Sequence, residues 1–164
     1  MSLISHFFMV SASFGVLAIY LTFFLVKKGV PESISATYYS SFPKWVFPAS
    51  LALAGGLILA PWIELSQKTE FCAFIATASV FFVACSPTFK EKFVGNIHYG
   101  SALVLFISAM IWLFFNDGFM LPFFISLVLA LLNRVNWLFW VEIGLLLSVY
   151  ATLLITISQL ILYI

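Results

Sequence analysis

The chain has 164 residues, of which 64% are hydrophobic, 19% aromatic and 8% charged, with a formal net charge of +1 and a mean hydropathy of +1.18. A soluble domain carries roughly 25% charged residues, and a small one leaves much of its surface in water, so this composition excludes a water-soluble globule and turns the surplus apolar surface towards lipid. The near-neutral charge and the lack of a basic run exclude a protein that tracks a phosphate backbone, so no nucleic-acid partner is expected.

A helix crosses a hydrocarbon core of roughly 30 Å with about 20 apolar residues. The apolar runs in chain order predict six crossings: 3–26, 45–63, 71–86, 98–115, 119–132 and 136–163. The first is stopped by Lys27-Lys28-Gly29, the third by Pro87 and the fourth by Asn116-Asp117-Gly118. The fifth is the shortest, and a re-entrant arm is its alternative. The second carries Ala52, Gly56 and Ala60 at four-residue spacing, a stripe that predicts close helix packing. The fold class read from the sequence is therefore all-α: one polytopic membrane helix bundle of six transmembrane helices with short loops.

Charge sets the predicted orientation. With six crossings, loops one, three and five share a side and hold Lys27, Lys28, Lys44, Lys90, Lys92 and Arg134, against Lys68 alone opposite. The positive-inside rule places those loops in the cytoplasm and both termini on the non-cytoplasmic side of a cytoplasmic (inner) membrane. No basic region precedes the first apolar run, so it is not read as a cleavable signal peptide. Cys72 and Cys85 lie thirteen positions apart on one run, about 20 Å of helix, beyond disulfide reach.

The polar residues carry what functional signal there is. Loop one, 27–44, is the longest connection and includes the island Pro31-Glu32-Ser33-Ile34-Ser35-Ala36-Thr37-Tyr38-Tyr39. Ser33 or Ser35 is placed to cap a short helical turn carrying Tyr38 and Tyr39. Two readings stand for this segment. It is an interfacial stretch held at the headgroups by Tyr38, Tyr39, Phe42 and Trp45, or a lid over a cavity in the inner leaflet.

Glu142 lies about two turns into the last helix. An intramembrane carboxyl is costly and normally faces a bundle interior or wet cavity. His98 opens the fourth segment on the same predicted side. Ser33, Ser35, Tyr38, Tyr39, His98, Arg134 and Glu142 thus share one half of the bundle and form the candidate ligand-binding set. On the other side, Asp117-Gly118 reads as a tight turn, and Glu64 and Glu70 read as solvated.

Several chemistries are excluded or unsupported. The two histidines, His6 and His98, sit near opposite faces, which disfavours a bis-histidine haem, and two histidines cannot build a three-histidine zinc site. No phosphate-binding glycine loop is present. A Ser35-His98-Glu142 triad lacks a nucleophile-elbow pattern around the serine. No cofactor, metal or catalytic residue is assigned.

The segments Pro31–Tyr39 and Val94-Gly95-Asn96-Ile97-His98-Tyr99 resemble a group of small bacterial six-helix membrane proteins of unknown function. The resemblance covers most of the chain in segment order, implies a six-helix bundle, and points to Ser35, Tyr38 and His98. It implies no activity. The leading expectation is a non-enzymatic membrane protein with an inner-leaflet polar pocket for a lipid or small amphipathic ligand. The rivals are an oligomeric channel lined by a ring of Glu142 and a lipid-modifying enzyme with His98 and Glu142 as acid and base. Membrane lipids are the expected partners, together with further copies of the chain in the channel reading.

Overall fold

The structure, a computed structural model, describes residues 2–40, 43–88 and 90–163. Phe42 of the expected interfacial belt lies outside them. The described residues form seven helices: α1 (Leu3–Lys28), α2 (Thr37–Ser40), α3 (Val46–Glu64), α4 (Glu70–Cys85), α5 (Lys92–Phe115), α6 (Leu121–Leu132) and α7 (Trp137–Leu162). Helices α1, α3, α5 and α7 are long and apolar enough to cross a membrane, while α4 and α6 are shorter apolar helices. This is a helical membrane bundle in composition and build.

Helix ends follow local chemistry. Ser2 caps α1 by accepting from Ser5 N–H at 3.2 Å, and Gly29 ends it at φ 81°, a left-handed conformation that favours glycine. The turn expected at Asp117-Gly118 is present, with Asp117 at φ 49° and Gly118 N–H donating to Leu113 O at 2.8 Å. Helix α5 begins at Lys92, six residues before the predicted start at His98. Its first turns carry Lys92, Asn96 and His98, so apolarity underestimates a helix whose end reaches past the hydrocarbon. Cys72 and Cys85 are free thiols.

Helix contacts run α1–α3–α4–α5, and both α1 and α5 also meet α7, which closes a ring of five helices. Helix α6 packs on α7 outside this ring. The outer surface is apolar, with Phe8, Ile19, Phe23, Phe71, Leu103 and Leu131 all exposed.

Polar ties join the ring. Ser13 on α1 donates to Ala54 O on α3 at 2.8 Å. Its one proton is thereby committed, so Tyr150 on α7 donates to Ser13 Oγ at 2.6 Å. Such bonds replace the hydrophobic drive that helices lack in lipid.

The predicted small-residue stripe does not make the closest approach. Gly56 is exposed and Ala52 and Ala60 are half-buried, whereas Ala54 and Gly55 are buried. A Cβ on Gly55 would sit 3.1 Å from Val80 on α4. Helix α3 lies between α1 and α4, and the small residues that matter face those two neighbours.

Helix α6 runs antiparallel to α7. Phe119 N–H donates to Thr152 Oγ1 at 2.8 Å, and Phe123 N–H to Ser148 Oγ at 3.1 Å. Further along, Gly144 lies directly against Ser126, whose hydroxyl a Cβ on Gly144 would overlap. Gly144→Ala therefore lowers the thermal unfolding midpoint in detergent, by an overpacking cost of about 1–3 kcal/mol. Helix propensity alone would raise it, so the sign decides, and Ser126→Gly in the same chain restores most of the loss.

Candidate functional site

Within the ring lies a partly open cavity of about 130 Å³, lined by α1, α3, α4, α5, α7 and loop one. Its wall is largely aliphatic. Glu142 and Ser35 line one end, and Trp62 and Tyr150 line it further along. Glu142 and Tyr150 are eight residues apart on α7, about 12 Å of rise. The far end is buttressed by tryptophans: Trp62 and Trp112 meet edge to face with centroids 5.5 Å apart. Trp112 Nε1–H donates to Ser66 Oγ at 2.6 Å, which donates to Trp62 O at 2.5 Å.

Loop one is the floor of this cavity. Ser33 Oγ accepts from Ala36 N–H at 3.1 Å and shapes the turn into α2, the capping expected of Ser33 or Ser35. Thr37 Oγ1 donates to Ile34 O at 2.5 Å and accepts from Tyr20 on α1 at 2.6 Å. Glu32 O accepts from Phe139 N–H at 3.1 Å, and Val30 O accepts from Asn136 Nδ2 at 3.2 Å. The central tie is Ile34 N–H donating to Glu142 Oε2 at 2.6 Å. Ser33, Ile34, Ser35 and Thr37 are buried. Of the two sequence readings of loop one, the burial of Ser33, Ile34, Ser35 and Thr37 fits a wall tucked into the ring.

The seven candidate residues are divided by the fold. Glu142 and Ser35 meet the cavity. Ser33 shapes the floor without lining it. Tyr38 and Tyr39 pack edge to face at 5.3 Å and face lysines. Lys44 Nζ lies 5.1 Å from the Tyr38 ring centroid and Lys90 Nζ 4.4 Å from that of Tyr39. Tyr39 OH also accepts from Lys90 N–H at 2.8 Å, joining loop one to loop three. Arg134 is exposed in the α6–α7 turn.

His98 is separated from this group. It is buried and its Nδ1 meets Ser86 O at 2.9 Å, beside the C-terminal end of α4. It does not line the cavity. The rotation of α5 sets the ring against the end of α4 instead of the loop-one floor.

Sequence reasoning missed two features. Glu64 was expected to be solvated. Its Oε2 lies 3.0 Å from Nε2 of the buried His6, with side-chain exposures of 44% and 4% respectively. The pairing joins the start of α1 to the end of α3, and the helix directions alone hinted at it. The participation of Tyr150 in the cavity had no sequence signal beyond a polar atom in an apolar helix.

Comparison of the chain with protein families, with curated proteins and with solved structures returned no match. Among the described residues, no group of three or more His, Cys, Asp or Glu side chains is placed to hold a metal.

The Glu142–Ile34 bond gives a separable prediction. Glu142→Gln keeps an acceptor for Ile34 N–H, while Glu142→Ala strands that donor at a cost of about 1–3 kcal/mol. Hydrogen exchange in detergent is expected to show increased exchange over 31–40 in Glu142→Ala and near-native protection in Glu142→Gln.

Proposed function

We propose that the protein is a non-enzymatic binding protein of the cytoplasmic membrane whose central cavity takes a small amphipathic ligand or a single lipid chain. The observation that carries this reading is Glu142. It lines an otherwise apolar cavity, and among the described residues its carboxyl accepts one hydrogen bond, from Ile34 N–H. A carboxyl has hydrogen-bonding capacity beyond one accepted bond, whether neutral or ionised, so a polar group on an occupant has somewhere to bind. Ser35 also lines the cavity. The volume matches a cavity that accepts a benzene-sized guest, about 150 Å³, and so favours a ring or a short chain over a whole phospholipid.

The rival readings draw less support. Glu142 lies inside the ring of one chain, so copies meeting through their lipid-facing surfaces do not bring their carboxyls together as a channel ring requires. An acid–base mechanism needs a second group at Glu142, and His98 is not among the cavity's lining residues.

The same proposal includes six spans, with loops one, three and five in the cytoplasm and both termini outside, as in the bacterial six-helix group that segments 31–39 and 94–99 resemble. The distribution of the seven basic residues supports it. So does the antiparallel run of α6 along α7 from Thr152 towards Trp137, fifteen residues or about 22 Å. Single cysteines at Lys68 and Arg134, in a chain otherwise free of cysteine, test the orientation in intact cells. An impermeant thiol reagent is expected to label position 68 and not 134.

Native mass spectrometry of the protein released from mild detergent tests the ligand. The expected spectrum is a monomer with a discrete adduct, lost in Ala102→Phe, which fills the cavity, and reduced at least tenfold in Glu142→Gln. A closed oligomer without an adduct, or an adduct indifferent to both changes, overturns the reading.

A further inference from the structure

A second cavity, of about 160 Å³, lies between α1 and α7. It is a groove lined by Phe14, Ala18, Thr22 and Leu25 of α1 and by Ile143 and Leu147 of α7, among others. It shares Leu17, Leu21, Leu146 and Tyr150 with the wall of the central cavity, so it is a separate space on the other side of that wall.

Two observations on this groove point to one occupant. The first is length. From Phe14 to Leu25 the α1 wall rises eleven residues, about 16 Å, close to half of a hydrocarbon core of roughly 30 Å. The groove is one leaflet deep. Its deep end is fixed by Phe14, whose ring meets that of Tyr150 edge to face at 5.4 Å.

The second is charge. Two residues beyond Leu25 come Lys27 and Lys28, both exposed in the last turn of α1. Lys27 Nζ is drawn over the Phe23 ring at 4.3 Å, on the face of α1 turned away from the groove, which leaves Lys28 as the α1 cation at the groove mouth. Arg134, also exposed, precedes α7 on the same rim, because Asn136 Nδ2 bonds Val30 O across the two helix ends at 3.2 Å. Glu32, exposed on the intervening loop, is the acidic residue nearest in sequence to this rim and leaves it net basic.

We infer that the α1–α7 groove is a binding site for one anionic membrane lipid, with an acyl chain along Ala18 and Thr22 and its phosphate at Lys28 and Arg134. Basic residues at the mouth of an interhelical groove recognise anionic headgroups, while the groove selects for a chain that ends within one leaflet. This lipid is distinct from the ligand of the central cavity, and the site stands whether or not that cavity is occupied.

The test is lipid retention by native mass spectrometry after exchange into detergent doped with dioleoyl phosphatidylglycerol or dioleoyl phosphatidylcholine. The wild-type chain is expected to retain one phosphatidylglycerol in preference to phosphatidylcholine. Lys28→Gln and Arg134→Gln, made singly, each lower that retention about fivefold. Ala18→Trp, which fills the groove and leaves every charge in place, lowers it at least as much, with the unfolding midpoint of each variant within a few degrees of wild type. Equal retention of the two lipids overturns the proposal. So does an anionic preference that survives Ala18→Trp, because the basic residues then act only as surface charge or in setting orientation. Displacement of the lipid by millimolar inorganic phosphate also overturns it, because the acyl chain then adds nothing. If Ala18→Trp fails to fold, Thr22→Phe replaces it and is read in the same way.

Discussion

One hydrogen bond, from Ile34 N–H to the Glu142 carboxyl, decides what kind of interior this bundle has. Irregular backbone is tolerated at membrane depth only where its polar groups find partners inside the protein. Loop one breaks helix geometry at Gly29 and Pro31 and then buries Ser33, Ile34, Ser35 and Thr37. Each exposed backbone group it brings inward needs a partner, and the ring supplies them in order: Asn136 for Val30 O, Phe139 N–H for Glu32 O, Glu142 for Ile34 N–H. All three partners come from one end of α7. The loop is thus seated on a single helix, and Tyr20 holds its other flank through Thr37.

The cavity above that floor follows from the sequence's choice of side chains. Five helices in a ring leave a centre that only large inward side chains fill, and close-packed interiors have few voids of this size. Here most of the phenylalanines whose exposure is large, such as Phe8, Phe23, Phe71 and Phe114, point outwards. The inward positions are held by Ala54, Gly55, Ala102 and Ala109 and by branched aliphatics. Side chains this small at positions that also border the centre leave space there that larger ones would fill.

The fold was legible where apolarity alone decides it. Six apolar runs became six helices because a lipid-facing helix must be apolar along its length, and the one misplaced boundary, at Lys92, lies where lysine side chains extend from the hydrocarbon. Glu142 was legible because an intramembrane carboxyl is rare enough to be informative alone. The remaining candidates were grouped by depth, and depth fixes only one coordinate. His98 and Arg134 share a bundle end with Glu142 but face elsewhere: helix rotation turns His98 towards the end of α4, and Arg134 lies in the exposed α6–α7 turn. The same blindness to rotation explains the small-residue stripe: Ala52, Gly56 and Ala60 lie on one face, but α3 has two neighbours and presents Ala54 and Gly55 to them. The His6–Glu64 pair joins helix ends 58 residues apart in sequence, and such pairings appear only once the helices have been packed.

The two ends of the central cavity are chemically unlike, and that asymmetry constrains any occupant. One end offers a carboxyl and a serine hydroxyl beside a floor of irregular backbone. The other is flanked by aromatic rings: Tyr150 OH and Trp112 Nε1–H are engaged with Ser13 and Ser66, while the buried Trp62 Nε1–H has no hydrogen-bond partner among the described residues. The Glu142 end thus offers a carboxyl with acceptor capacity, and the Trp62 end offers at most an indole donor, so the two ends favour different polar groups. In the binding role proposed above, selectivity would rest less on the shape of the cavity than on the placement of the Glu142 carboxyl, which the loop-one floor needs for its own backbone and leaves with unused hydrogen-bonding capacity.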